Sequence, residues 1–426
     1  MIRLCVPTVV YSTEIEACSF IKNLLRNTTL TDVDSIMPSD QSRMFDPPLT
    51  VLKIFGVWEG RTPSKYYKTF SFLFLFVSWF FYNFLLTLSL VYTPRSVELF
   101  LRELMFYFTE ISIASKFLTV LLLRDKILEV FSVIDSDEFV GDYENKDGIL
   151  YRTNKGYSFC WKVYNVLANI DYTCVIIMPV VIDLIRGTKS VLPICNYYFL
   201  SEDFRDSHFV ILYLYQSIGM YGHMMYNLNM DSLAWGLLAV GIAQIKVLNK
   251  NFTDLKLSAE ESKLPLEIQD NIQKTRLFKL LRHYEAILNY CDAIQNVLSA
   301  TFFFQFSFGA LTTCVIMCSL LMPGTMVYRI FLVIYFFAMA GQIALPGFFG
   351  TLLTHESQEL VTAAYNCEWI ERSQSFKRTL ILFRERAGTP IIISGMKMFS
   401  LSLVTFVAIM KTTYSFFTLI RNAQET

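Results

Sequence analysis

Apolar residues in this chain are gathered into long blocks, and the polar stretches between the blocks are very unequal in length. Three blocks are nearly free of charge: residues 69–92, 299–322 and 325–353. Four more carry isolated ionisable residues. They are 97–123 with Glu103, Glu110 and Lys116, 162–185 with Asp171, 207–248 with Asp231, and 390–420 with Lys397 and Lys411. A bilayer core of about 30 Å needs about 20 mostly apolar residues in a helix, because hydrocarbon offers the backbone no hydrogen-bond partner. The pattern therefore predicts an all-α polytopic membrane protein, a single domain over residues 1–426 with seven transmembrane helices.

The connections alternate in kind. Residues 93–96 and 323–324 are tight turns, whereas the connections on the other side are long and patterned. Over 274–298 apolar residues recur at Leu277, Leu280, Leu281, Tyr284, Ile287, Leu288, Cys291, Ile294 and Leu298, the stripe of a helix packed on protein. Residues 355–386 show a similar stripe at Leu360, Ala363, Ala364, Cys367 and Ile370. Both segments are expected to be helical extensions reaching out of the membrane and anchoring neighbouring subunits.

Charge decides which way the chain threads. The alternation places 26 lysines and arginines on the long-connection side and five on the other. Cytoplasmic flanks retain positive charge, so the N-terminus is expected in the cytoplasm and the C-terminus outside. The Asn27-Thr28-Thr29 and Asn251-Phe252-Thr253 sequons fall on the inner side and are expected to carry no sugar. The first 20 residues lack the apolar core and cleavage site of a signal peptide.

Composition narrows the function classes. Hydrophobic residues make up 54%, charged residues 17%, and mean hydropathy is +0.41, outside the soluble range. Equal counts of 37 basic and 37 acidic residues give no footprint for nucleic acid. The nine cysteines have no spacing of a zinc site and are read as buried thiols. Four separated histidines, with no HExxH, GxSxG or phosphate loop, argue against an enzyme, and no cofactor or metal is expected.

Seven spans suggest a G-protein-coupled receptor, but Asp-Arg-Tyr after span three and Asn-Pro-x-x-Tyr in span seven are missing, and the inside N-terminus opposes it. The chain instead resembles the insect odorant receptor family, most clearly over residues 340–421. The resemblance is carried by Gln342, by Ala364, Tyr365 and Trp369, and by Pro390 opening the last helix. It continues in Ser402-Leu403-x-x-Phe406 and in Tyr414-Ser415-x-Phe417-x-Leu419. LKIFGVWEG before span one and Asp231-Ser232-Leu233 in span four add weaker support.

That resemblance implies an odorant-gated, non-selective cation channel of four subunits in the plasma membrane of olfactory sensory neuron dendrites. This chain would be the odorant-binding subunit, assembled as a heterotetramer with a shared co-receptor. The connection at about 249–273 is too short for it to be the co-receptor itself. A gustatory-type receptor of the same superfamily is the nearest alternative, separated by the span-seven tail. A secondary transporter is the alternative from another class, against which stand the absence of internal repeats and an odd number of spans.

The last block fits a pore wall. Ser394, Lys397, Ser400, Ser402, Thr405, Lys411, Thr412, Thr413, Ser415 and Thr418 are a poor surface for lipid. Spacings of four and three put Ala408, Thr412, Ser415, Leu419 and Asn422 on one stripe, the expected pore face. The resemblance assigns the narrowest point to Leu419, Asn422 and Ala423, where an apolar ring closes a pore by dewetting. It also places the site for a small volatile odorant in the outer half between spans two, three, four and six. Depth and helical spacing select Phe106, Tyr107 and Glu110; Cys174, Ile177 and Met178; Tyr213, Gln216 and Met220; and Phe331, Tyr335 and Met339. Glu110 and Asp171 are expected to need polar partners at membrane depth.

Overall fold

The computed structural model describes residues 41–59, 65–139, 148–187 and 190–425. The sequon at Asn27 lies outside them. Among the described residues, seven helices are long and apolar enough to cross a membrane: α2 (Lys65–Tyr92), α3 (Val97–Leu122), α5 (Ile149–Ile185), α7 (Phe209–Thr253), α8 (Leu266–Leu321), α9 (Met326–Tyr365) and α11 (Leu403–Asn422, continuing to Glu425). Among the described residues there are also shorter α-helices, α1 (Asp46–Ile54), α4 (Arg124–Ile134), α6 (Glu202–Ser207) and α10 (Gln374–Ala387). The end bearing the 93–96 and 322–325 connections is the turn end, and the opposite one is the extension end.

Length alone carries several helices out of the bilayer. With a rise of about 1.5 Å per residue, the 56 residues of α8 reach about 84 Å, against a hydrocarbon core of about 30 Å. The surplus of α7, α8 and α9 gathers at the extension end with α4 and α10. There Leu277, Leu281, Ile287, Phe376 and Phe383 are buried in the larger of two cores, and Phe252 stacks on Phe383 at 4.8 Å. The 254–265 connection is fastened to α8 by Arg276, whose guanidinium meets Glu261 at 2.5 Å. The Ser258 N–H and that guanidinium hold the Glu261 carboxyl below the usual carboxylate range. A second, smaller core lies at the turn end.

Helix α7 is the axis of the bundle, with 89% of its apolar window buried, against 6% for α5 and α11. Its polar side chains repair defects in its neighbours. A π-helical stretch at Phe76–Phe81 interrupts α2, and another at Thr173–Ile177 interrupts α5; such stretches leave backbone carbonyls without α-helical partners. The Tyr215 hydroxyl donates to the Val77 carbonyl at 3.0 Å, His223 Nε2 to that of Ser78 at 2.8 Å, and the Tyr213 hydroxyl to that of Ile176. Likewise Pro346 in α9 has no N–H for the carbonyl one turn before it, Gln342, and Gln305 Nε2 of α8 donates there at 2.8 Å.

Three expected boundaries are corrected. The last span does not begin at 390: Pro390 lies in an extended strap after α10, followed by an antiparallel pair, β1 (Ser394–Gly395) and β2 (Phe399–Ser400), and α11 opens only at Leu403. Ser394, Lys397, Ser400 and Ser402 therefore belong to the strap and not to a helical stripe. The patterned segment 355–386 is broken too, since α9 stops at Tyr365 and α10 starts at Gln374, leaving Ile370 72% exposed. Helix α5 begins at Ile149, well before 162.

Candidate ligand cluster and pore helix

The turn-end core is built on the faces of α3, α7 and α9 that look at one another. Phe106 lies 6.2 Å from Phe331 and 5.9 Å from Tyr335, and Phe331 stacks on Tyr335 at 5.5 Å. Met339 is buried in the same cluster, and Tyr107, Tyr213 and Met220 pack at its edge. Its polar content is small. Tyr335 and Thr109 share a hydrogen bond of 2.6 Å, and Thr109 also donates to the Met105 carbonyl at 2.9 Å. With its proton on that carbonyl, Thr109 is the acceptor for Tyr335. Seven of the twelve expected ligand residues thus meet: Phe106, Tyr107, Tyr213, Met220, Phe331, Tyr335 and Met339.

The other five do different things. Cys174, Ile177 and Met178 point away from the cluster; Ile177 and Met178 are 47% and 48% exposed, and Ile176 is buried in their place. This corrects the face of span three. Gln216 is fully buried and belongs to the lid of the turn end: its Oε1 accepts from the Ile194 N–H at 3.1 Å and its Nε2 donates to the Cys195 carbonyl at 2.7 Å. These bonds seat Ile194, Cys195 and Tyr197 over the cluster, the last in left-handed backbone at φ 46°. Gln216→Leu leaves those backbone groups unpaired at a cost of about 1–3 kcal/mol. Its expected result is faster proteolysis within 190–200, read by mass spectrometry, with the helices still protected.

Glu110 supplies an interhelical tie. It meets His223 Nδ1 at 2.5 Å, and His223 Nε2 reaches the Ser78 carbonyl, so α2, α3 and α7 are joined through one imidazole. Deeper, the Lys116 ammonium sits 2.5 Å from Asp231 and 2.6 Å from Asn227 Oδ1, with Lys116 1% exposed. Between this ion pair and the cluster lies a polar cavity of about 10 Å³, room for one water, walled by Thr109, Asn227, Gln305 and Gln342 among others. Asp171 has no side-chain hydrogen bond among the described residues.

Helix α11 has two unlike faces. Phe406, Ile409 and Met410 pack on the core, and Thr413 is buried with its hydroxyl 3.5 Å from that of Thr313. Ala408, Thr412, Ser415, Leu419 and Asn422 are all exposed on the opposite side, Leu419 by 67%. Ala423 continues the helix, but its side chain is outside the described set.

A family profile described as 7tm Odorant receptor matches residues 96–414. The chain belongs to the 7tm odorant receptor family. This odorant receptor is 25% identical to Odorant receptor 2a of Drosophila melanogaster over 222 residues, which are 51% of this chain and 56% of that protein. It is 23% identical to Odorant receptor 10 of Aedes albopictus, over 52% of this chain and 57% of the other. The receptor thus spans about half the length of the curated relatives it matches. Its fold is that of the insect olfactory receptor OR5 from Machilis hrabei, solved in complex with eugenol. The TM-score is 0.73 with 16% identity, over 90% of this chain and 100% of that one.

What sequence reasoning overlooked in the receptor's turn-end core is mainly polar or loop-borne. Thr109 carried a usable signal, standing three residues after Phe106 on the same helical face. Cys195 and Tyr197 carried none, because nothing in an irregular segment of 190–200 indicates that it folds back into the bundle.

Proposed function

We propose that this odorant receptor is the odorant-binding subunit of a ligand-gated, non-selective cation channel. It sits in the plasma membrane of olfactory sensory neurons, with the extension end in the cytoplasm and the N-terminus inside. It assembles with the shared co-receptor as a heterotetramer through the extension end. A small, largely apolar odorant occupies the turn-end cluster around Phe106, Phe331, Tyr335 and Met339. Eugenol, carried by the structurally similar receptor from Machilis hrabei, is a molecule of that kind.

The observation that carries the reading is the division of α11. A helix of membrane length packs Phe406, Ile409, Met410 and Thr413 on its own subunit and turns Ala408, Thr412 and Ser415 away from it. Thr412 and Ser415 donate their protons to the Ala408 and Lys411 carbonyls of the same helix, and their outward oxygens keep acceptor capacity that water in a pore uses and lipid does not. Four such faces around an axis give a hydrophilic lumen with Leu419 as its apolar ring and Asn422 beside it. Odorant binding opens this ring by moving α8 and α9, which clamp the start of α11.

Cysteine accessibility tests the pore face. In the open state, Ser415→Cys is expected to react with a small cationic thiol reagent and lose most of its current, whereas Ile409→Cys on the packed face does not react. Equal protection at both positions contradicts the assignment of α11 as the pore wall.

A further inference from the structure

The strap between α10 and α11 ends in an unusual tip. Register pairs Gly395 with Phe399, so Met396, Lys397 and Met398 form the turn between β1 and β2. Met396 and Lys397 both adopt left-handed backbone, at φ 48° and 60°. L-residues enter this region only against steric resistance from their Cβ, which Gly would avoid. The tip is nevertheless held rigidly from below. Gln295 exchanges two hydrogen bonds of 2.8 Å with the Ser394 backbone, Ser299 accepts from the Met396 N–H at 2.9 Å, and Phe399 stacks on Phe306 at 5.3 Å.

This rigid base presents an amphiphilic surface. Met396 is 52% and Met398 72% exposed, Lys397 between them is also exposed, and Lys397 forms no salt bridge among the described residues. The level of the tip is fixed by its neighbours. Five residues beyond Met398 the chain enters α11, and Ser299 and Phe303 beneath the tip begin the apolar part of α8. Two spans therefore enter the bilayer beside it. Apolar thioether chains flanking a cation at that level match the acyl boundary and the phosphate layer of a membrane surface.

We propose that the Met396–Lys397–Met398 tip is a membrane-surface anchor, its two methionines seated at the acyl boundary and Lys397 held by an acidic phospholipid headgroup. Both methionines lie exposed on the tip. Because Leu401 and Ser402 follow directly into α11, the anchor fixes where the last helix starts relative to the bilayer.

The test uses the full-length protein with Cys5, Cys18 and the exposed Cys160 and Cys174 replaced by serine, Met398→Cys labelled with an environment-sensitive fluorophore, and vesicles of phosphatidylcholine with or without phosphatidylserine. The expected result is blue-shifted emission, quenching by lipid-borne spin labels and not by iodide, and a stronger response with phosphatidylserine. Lys397→Gln should lower that preference for acidic lipid about fivefold, the share of one lysine at an anionic surface, with the blue shift retained. Quenching by iodide alone places the tip in water and overturns the proposal. Protection from both quenchers places it against a neighbouring subunit and overturns it equally.

Discussion

Lys116→Met is expected to leave little folded receptor. The substitution removes the only charge within salt-bridge distance of Asp231 among the described residues and leaves a carboxylate buried at membrane depth, its side chain 7% exposed. Removing one partner of a buried pair costs roughly 3–5 kcal/mol, because the remaining charge keeps its desolvation penalty without its attraction. That is a large part of the stability of an ordinary domain. Asn227 loses its donor at the same time. The fraction of monodisperse protein by fluorescence-detected size exclusion should fall several-fold. Combining Lys116→Met with Asp231→Leu should restore most of it, since no unpaired charge remains. A single substitution with unchanged yield contradicts the buried pair.

Gly350→Ala is expected to abolish function by a different route. A Cβ at Gly350 would stand 2.1 Å from the Leu401 carbonyl oxygen, a backbone atom of the strap that cannot rotate away. Close by, the Thr351 hydroxyl accepts from the Leu403 N–H at 2.9 Å, and a Cβ at Gly347 would come within 2.9 Å of the Ser402 carbonyl oxygen. The added methyl therefore pushes α9 away from the first residue of α11. Overpacking of this kind costs typically 1–3 kcal/mol, and here it falls on the helix proposed to line the pore. Odorant-evoked current should be lost even where surface expression persists. Gly341→Ala in the same helix is the control, because nothing lies within 4 Å of its Cβ position; expression and current should match the unmodified receptor.

How much of this was legible in the sequence follows the physics of each feature. The spans were readable because a bilayer imposes a length and a polarity on every segment that crosses it, and residues 69–92 or 299–322 have no other explanation. The seam of α11 was readable as a stripe, since Ala408, Thr412, Ser415 and Leu419 follow helical spacing. Its beginning was misread: Pro390 is a good first residue for a helix, but local preference yielded to the clamp of Gln295, Gly350 and Thr351 on the strap. The inward face of α5 could not be chosen, because Cys174, Ile176, Ile177 and Met178 are all apolar and a π-helical stretch shifts the register among them. Glu110 was recognised as needing a partner, but His223 stands 113 positions away, and only the packing of α3 on α7 brings the two together. Seven members of the turn-end cluster were legible from depth and residue type, while its lid and its Thr109–Tyr335 bond depend on contacts across the chain.

The proposed function rests on odorant binding in this subunit being coupled to an ion pathway shared with others. Whole-cell voltage clamp in an electrically silent cell, with this chain expressed alone and with the co-receptor, measures that coupling under a panel of volatile odorants. The predicted result is an odorant-evoked, non-selective cation current only when both subunits are present, carried unchanged when G-protein signalling is blocked. Odorant or solute uptake without current, or a response that disappears with G-protein blockade, would contradict it.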